Sequence, residues 1–317
     1  MRTDTAYSKF TEELVGAMER NNDVIWHKEW IAFNMGNRGY GNSNPYRGGN
    51  APFAEAVRQS RGYGSRQWLT FYRFIELQKK NPGMKMKSGS TSIPVIDWAP
   101  RFLKDASGCF VLDSNGNRIL DGFSRICYNV FNADCFEGFD FSETEPKAPE
   151  ILRPAEKEKA EDYMTDLMKS YAGCPTVIFD ASDRAYYSRA TDSIHLQPMS
   201  TFRSVGSFVT ALAHEMVHST GIEQRLGRKC LETYSPEDKS RNLEELVAEI
   251  GASMICFRLG LLPEVLENNA AYIASWSKAL RDNPSWFHTA YGMALKAAAL
   301  VLGENCGEAE TEEQQVA

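Results

Sequence analysis

The chain has 317 residues, of which 43% are hydrophobic, and this length and composition predict a globular protein with two domains. Its formal net charge is −7, and it contains no run of about eighteen uncharged apolar residues, which excludes a membrane-spanning helix. The N-terminus lacks an apolar signal core, and the seven cysteines are scattered without a Cys-x-x-Cys pair, so we predict a cytoplasmic protein with reduced thiols.

The N-terminal half shows both helical and strand patterns. Helices are predicted for residues 5–22, 52–60 and 66–79, with a loop rich in Gly and Asn over 36–50. Strands are predicted for 92–98, 109–112, 118–122 and 126–131, with a hairpin turn over 113–117. Residues 1–140 are therefore predicted to form an α+β domain, and the acidic, proline-containing stretch 141–154 is predicted to be a linker.

Basic and aromatic residues concentrate in one part of this half. Residues 26–104 carry 13 Lys and Arg against four acids, a net charge of +9, together with 13 aromatic residues. Because basic side chains neutralise phosphates and aromatic rings stack on unpaired bases, this mixture predicts binding of single-stranded DNA. An ordinary α+β domain with an aromatic core and a solvated basic face is the alternative.

Five residues are the candidates for this DNA contact. Lys28 and Arg47 are candidates for phosphate contacts, and Trp30, Tyr46 and Trp68 are candidates for stacking. The apolar neighbours of Trp68 favour its burial, whereas the Gly/Asn loop around Tyr46 favours its exposure.

The C-terminal half is predicted to begin with a helix and short strands. The helix spans 155–171, and the strands span 177–180, 184–188 and 193–196. Further helices are predicted for 242–259 and about 270–302. We take 155–305 as the second domain and 306–317, which is acidic and rich in Gln, as a disordered tail.

An H-E-x-x-H motif lies between these strands and the later helices. His214 and His218 are four residues apart, so a helix places both imidazoles on one face, where they can bind one metal ion. Glu215 lies beside them and is the candidate general base for a metal-bound water. The surrounding apolar residues indicate a helix, and Gly221 is a natural C-terminal stop.

A tetrahedral zinc site of this type requires a third protein ligand. Position 224 is Gln, so the third histidine of the H-E-x-x-H-x-x-G-x-x-H pattern is missing. The helix at 242–259 carries acids with the required spacing. We predict a His2Glu, gluzincin-like site in which Glu245 is the third ligand and Glu249 holds a ligand histidine from behind, with Glu244 as the rival ligand.

Several segments of the chain resemble a known family. The matching runs are WHKEW (26–30), NPYRGGN (44–50), GYGSRQWLTF (62–71), YNVFN (128–132), LAHEMVHSTG (212–221), EELVAEIG (244–251) and AYIASW (271–276). They are similar to the ArdC family of plasmid- and phage-borne antirestriction proteins, from about residue 5 to about residue 302. The resemblance implies a single-stranded-DNA-binding domain fused to a zincin-like metallopeptidase domain.

The resemblance also implies a role in protecting mobile DNA, which arrives single-stranded, from host restriction. If the metal site is catalytic, we expect Zn2+-assisted peptide hydrolysis of a host restriction or defence protein, with Tyr234 or His195 as the partner of the oxyanion. The alternative is a DNA-binding shield in which the zinc site is merely structural.

Overall fold

The computed structural model describes residues 3–21, 25, 28–148, 158–180, 183–232, 240–261 and 269–304. The helices within these residues are α1 (Thr3–Asn21), α2 (Glu29–Ala32), α3 (Asn50–Ser60), α4 (Phe71–Lys80), α5 (Ala160–Ser170), α6 (Val205–Ser219), α7 (Lys229–Glu232), α8 (Ser240–Arg258), α9 (Asn269–Asp282) and α10 (Trp286–Leu302). The strands are β1 (Arg38–Gly39), β2 (Gln67–Thr70), β3 (Lys85–Met86), β4 (Ile93–Phe102), β5 (Leu120–Asn132), β6 (Phe136–Glu137), β7 (Thr176–Phe179), β8 (Tyr186–Ser188) and β9 (Ser193–Leu196). Among the described helices, none combines the length and the apolar character needed to cross a membrane.

A four-stranded sheet in the order β1-β2-β5-β4 is the centre of the N-terminal half. Strands β4 and β5 form a long antiparallel hairpin, and the hydrophobic side of α1 packs against β4. This arrangement confirms the predicted α+β class. At the far end of the hairpin, the predicted turn is present, since the N–H of Asp113 donates to the carbonyl of Asn117 over 2.8 Å.

Two predicted helices have different boundaries in the structure. The prediction for 66–79 is wrong at its start, because β2 pairs with β5 and the hydroxyl of Thr70 then caps α4 by accepting the N–H of Arg73. The predicted long helix over 270–302 is interrupted between α9 and α10. Pro284 explains this interruption, because proline lacks an N–H and disfavours helical geometry at the preceding residue.

The C-terminal half combines a small sheet with packed helices. Its strands lie in the order β7-β9-β8, with β9 parallel to β7 and antiparallel to β8. Ile194 and Leu196 on β9 are fully buried in the core cluster that also contains the apolar residues of α6. Helix α6 packs against α8, which packs against α10.

The two halves share one hydrophobic core. Helix α1 packs against α9 and α2 packs against α8. Hydrogen bonds reinforce the contact: the Thr11 hydroxyl donates to the carbonyl of Pro284 over 2.8 Å, and the Tyr291 hydroxyl donates to the carbonyl of Ile31 over 3.0 Å. Helices α1 and α2 of the N-terminal half are therefore partly covered by the C-terminal half.

Candidate metal centre

Helix α6 presents the H-E-x-x-H motif in the predicted conformation. Ser204 begins the helix with a capping box, in which its hydroxyl accepts the N–H of Ser207 over 2.9 Å and Ser207 returns a bond to the Ser204 N–H. Most residues of the helix are buried, so the core fixes its rotation. His214 and His218 consequently lie one turn apart on the same face.

Helix α8 brings a carboxylate to these two imidazoles. Gly251 lets the helices approach closely, since a Cβ at this position would lie 2.8 Å from Val217 Cγ2 of α6. The same approach places Glu245, near the start of α8, beside the histidines. His214 Nε2 lies 3.4 Å from Glu245 Oε2, and His218 Nε2 lies 3.7 Å from the same oxygen.

The three donor atoms fit a single metal ion. The two Nε2 atoms are 3.1 Å apart, so the sides of the triangle measure 3.1, 3.4 and 3.7 Å. Tetrahedral ligands at bond lengths of 2.0–2.1 Å are about 3.3 Å from one another, which matches this triangle. Two imidazoles and one carboxylate also leave a fourth position open. His214, His218 and Glu245 are therefore the residues that would hold the metal.

Glu244, rather than Glu249, holds a ligand histidine from behind. Its Oε1 lies 3.2 Å from Nδ1 of His218, and it is fully buried. The bond leaves Nε2 of His218 for the metal, as such carboxylates do in metal sites. Our assignment of this role to Glu249 is wrong for His218, because Glu244 lies on the Nδ1 side of the ring. The same position removes Glu244 from the donor triangle, where it was the rival ligand.

Glu249 affects the site through its negative charge. Among the residues that the structure describes, its carboxylate accepts no hydrogen bond from either imidazole. Burial lowers the pKa of His214, but the hydrogen bond to Glu245, together with the negative charges of Glu249 and Glu215, raises it above its usual value. In the metal-free protein, bonds to Glu244 and Glu245 likewise outweigh burial and raise the pKa of His218 to about 10.

Glu215, the predicted general base, is a buried neighbour of the two histidines. It is only 7% exposed, and it follows His214 directly in the helix. Its charge contributes to the raised pKa of both histidines. Within the described part of the chain, no hydrogen bond involves its carboxylate.

The two candidates for the oxyanion partner have different outcomes. Tyr234 lies outside the described residues. His195 belongs to a separate group, because Nδ1 pairs with Asp180 Oδ2 and Nε2 with Ser193 Oγ, both over 2.9 Å. It also points to the face of the small sheet opposite Ile194 and Leu196, which pack in the core with α6. In the structure, both ring nitrogens of His195 therefore bind residues of the small sheet and its neighbourhood, and an oxyanion role for His195 stays a prediction.

The stacking candidates of the N-terminal half lie mostly in the core. Trp68 is 1% exposed and its Nε1 donates to Asn37 Oδ1 over 2.9 Å, so its expected burial is correct and its stacking role is wrong. Tyr46 is 9% exposed, and its hydroxyl is buried with no hydrogen-bond partner among the described residues. Its expected exposure is wrong because the Gly/Asn loop folds back: the Tyr46 N–H donates to the Asn37 carbonyl over 2.7 Å.

The other DNA candidates are less constrained. Arg47 is exposed and Lys28 is half-buried. The side chain of Trp30 lies outside the described residues.

Two exposed aromatic residues were not singled out from the sequence. Phe71 and Tyr72 open α4 and are 56% and 72% exposed. Arg73 lies next to them, with its guanidinium 5.7 Å from the ring centre of Tyr40. The sequence offered no signal that separated Phe71 and Tyr72 from the buried rings, because strand β2, which ends at Thr70 just before them, was itself predicted as helix. We call Tyr40, Phe71, Tyr72 and Arg73 the aromatic surface.

Comparison with known proteins defines the class of the two halves. Residues 4–116 match the family model of the N-terminal domain of the anti-restriction factor ArdC, and residues 168–292 match that of zincin-like metallopeptidases. The chain therefore combines an ArdC-type N-terminal domain with a zincin-like domain, which confirms the resemblance. Such a domain implies a divalent metal.

The whole chain is also similar to a solved protein of this class. The antirestriction protein ArdC from plasmid R388 is 27% identical in its metal-free structure and 28% in its Mn(II)-bound structure. Each comparison has a TM-score of 0.57 and covers 93% of this chain and 96% of the other. The chain is thus ArdC-like over both halves.

Two curated relatives show how widely the arrangement occurs. The uncharacterized protein y4eC of Sinorhizobium fredii is 26% identical, with 92% of this chain and 90% of the relative covered. A DNA primase TraC of Escherichia coli is 27% identical over 87% of this chain. This chain spans only 25% of that primase, so the primase activity belongs to a much longer protein.

Proposed function

We propose that this protein is an antirestriction protein of a mobile element, which binds single-stranded DNA through its N-terminal half and carries a zinc metallopeptidase-type site in its C-terminal half. The observation that carries the proposal is the donor triangle of His214, His218 and Glu245 beside a buried Glu215, in a chain that is ArdC-like throughout. We further propose a cytoplasmic location, where the incoming DNA and the restriction enzymes meet.

Zinc is the proposed ion because two imidazoles and one carboxylate form the ligand set of catalytic zinc sites. The Mn(II)-bound relative makes manganese the competing ion. Metal analysis of carefully prepared protein, followed by titration of the metal-free chain with each ion, tests this assignment. Retention of manganese and loss of zinc under equal competition would replace zinc in the proposal.

The proposed chemistry is hydrolysis of a peptide bond. The bound metal would polarise the substrate carbonyl and lower the pKa of a water towards about 7. Glu215 would accept a proton from the attacking water and deliver it to the leaving amine. Glu244 keeps Nδ1 of His218 occupied, so that the imidazole presents Nε2 throughout. Tyr234 remains our candidate for stabilising the oxyanion.

The proposed substrate is a host restriction or defence protein, and the alternative is a shield whose metal site is structural. The environment of Glu215 favours catalysis. A structural site requires ligands only, whereas Glu215 is a buried carboxylate beside the ligands that is neither in the donor triangle nor bonded to described residues.

The substitution Glu215→Gln separates the two functions, because it keeps the size of the side chain and removes the base. We expect metal content and DNA affinity to be retained while protection of incoming DNA is lost and the levels of the substrate protein in host cells recover. Glu249→Gln is the matched control, since it removes a nearby carboxylate that forms no described hydrogen bond with either histidine. Full protection by the Glu215→Gln protein would favour the shield.

Single-stranded DNA is proposed to bind at the aromatic surface. Phe71 and Tyr72 offer exposed rings on which bases can stack, and Lys79 and Lys80 are exposed at the other end of the same helix. Lys28 and Arg47 remain candidates for phosphate contacts. We expect binding to prefer single strands over duplex, to depend little on sequence and to weaken steeply with salt. Arg47→Ala should reduce the salt slope by about one unit, measured by fluorescence anisotropy.

A further inference from the structure

A buried ion pair, between Arg228 and Glu244, lies next to the donor triangle on the Nδ1 side of His218. Arg228 is 4% exposed, and its guanidinium binds both oxygens of Glu244: Nε lies 2.9 Å from Oε2 and Nη2 lies 2.5 Å from Oε1. The oxygen Oε1 also faces Nδ1 of His218. This bidentate contact fixes the plane of the carboxylate, because a guanidinium and a carboxylate can form two parallel hydrogen bonds.

The same guanidinium caps the C-terminus of α6, the helix that carries the two histidines. Its Nη2 donates to the carbonyl of Val217 over 2.8 Å and lies 3.5 Å from that of His218, and Nη1 donates to the Thr220 hydroxyl over 2.5 Å. A cation at the C-terminus of a helix is favourable because the last carbonyls lack partners there. Arg228 therefore joins the end of α6 to Glu244 of α8, one residue before the ligand Glu245.

The backbone leaves room for this arginine. A Cβ on Gly221 would lie 2.8 Å from Nη2 and 2.9 Å from Cζ of Arg228. Gly221 does not have a positive φ, so a left-handed backbone does not explain the glycine. The close approach of Arg228 explains it together with Leu231, whose Cδ2 would also lie 2.8 Å from that Cβ.

We infer that Arg228 is a positioning residue for the metal site: through Glu244 it fixes the ring of His218, and through α6 and α8 it sets the spacing between the imidazoles and Glu245. This inference rests on the metal-binding part of the proposed function. Glu244 is fully buried, so water does not solvate its negative charge. Arg228 therefore also compensates that charge.

Arg225 provides a matched control within the same turn. It binds both oxygens of a carboxylate, that of Asp192, over 2.9 and 2.8 Å. It also caps α6, donating to the carbonyl of Ser219 over 2.9 Å. Asp192, however, contacts none of the donor residues through a described hydrogen bond. Arg225 therefore shares the structural role of Arg228 without the link to His218.

The test is the affinity of the full metal-free chain for Zn2+ and for Mn2+, measured by competition with a chelating dye. We expect Arg228→Gln and Glu244→Gln to weaken binding about 10–100-fold, as loss of a carboxylate behind a ligand histidine does. Arg228→Lys should give an intermediate loss, since a lysine keeps the charge but not the bidentate contact. Arg225→Gln should bind metal like the wild type, even where its melting temperature falls.

A variant that removes the buried charges together guards against simple unfolding. Combining Arg228→Met with Glu244→Leu leaves no unpaired charge, and circular dichroism checks the fold. Although this double variant has no unpaired charge, it should bind metal more weakly than the wild type. Wild-type affinity in folded Glu244→Gln and in the double variant would overturn the inference, as would an equal loss in Arg225→Gln. A wild-type chain that binds neither ion would instead refute the proposed metal site itself.

Discussion

The metal centre and the aromatic surface differ in how far each can be recognised from residues that are close together in the sequence. The two histidines and Glu215 come from one turn of one helix, and Glu245 from a single further helix. The aromatic surface and the buried rings of Trp68 and Tyr46 come from the same stretch of sequence, yet solvent reaches some and not others. Helical spacing defines a ligand pair, whereas burial of an aromatic ring depends on what the rest of the fold places over it.

The largest expected effect tests the metal centre. His214→Ala removes one of three donors, and we expect the purified protein to lose its bound metal entirely. The melting temperature should fall as well, because metal binding stabilises the folded state. Elemental analysis and differential scanning calorimetry measure the two effects. Full metal occupancy in His214→Ala would show that the donor triangle is not the site.

Trp68→Ala tests the buried side of the N-terminal half. The ring is almost fully buried and its Nε1 donates to Asn37, so its loss should cost about 3–5 kcal/mol of unfolding free energy. Urea denaturation measures the change. If Trp68→Ala is as stable as the wild type but binds DNA more weakly, Trp68 contacts DNA and its assignment to the core is wrong.

Tyr72→Ala tests the exposed side of the same half. We expect a loss of about 1–3 kcal/mol in affinity for single-stranded DNA, because one stacking platform is removed. The unfolding free energy should stay within about 0.5 kcal/mol of the wild type, since the ring is 72% exposed. Tyr46→Ala is the informative comparison: it should lower stability and leave affinity nearly unchanged in the folded protein. The reverse pattern would contradict the assignment of the surface.

The smallest expected effect concerns His288, at the contact between the two halves. Its ring packs against Tyr7 and Phe10 of α1, and in the part of the chain that the structure describes both ring nitrogens are buried with no hydrogen-bond partner. Burial and then the positive charge of Arg125 lower its pKa to about 3. The unfolded chain, with an ordinary pKa of about 6.5, therefore binds more protons in the window between these values.

Stability should consequently decrease as the pH falls from about 7 to 5, and His288→Phe should flatten this dependence. The phenyl ring also removes two unsatisfied polar atoms, so the variant should be no less stable than the wild type at pH 7. Thermal melts at a series of pH values measure both quantities. An unchanged pH slope in His288→Phe would exclude His288 as its source.

Much of the fold was predictable where patterns are local. The α+β class, the hairpin turn at 113–117 and the strand at 193–196 are present in the structure. Strand β2 was predicted as helix because its partner, β5, is more than fifty residues away in the chain. Pairing with a distant strand overrides a local helical pattern, and the sequence does not display the partner.

The sequence by itself determined the helix that carries His214, Glu215 and His218, and the helix that carries Glu245, because periodicity and capping are properties of neighbouring residues. The tertiary structure alone decided that Glu244 rather than Glu249 is bonded to His218, that Arg228 binds Glu244, and that Tyr46 is buried. These outcomes depend on the rotation and spacing of elements that pack against each other. Close packing in the core fixes both quantities, and no short sequence pattern records them.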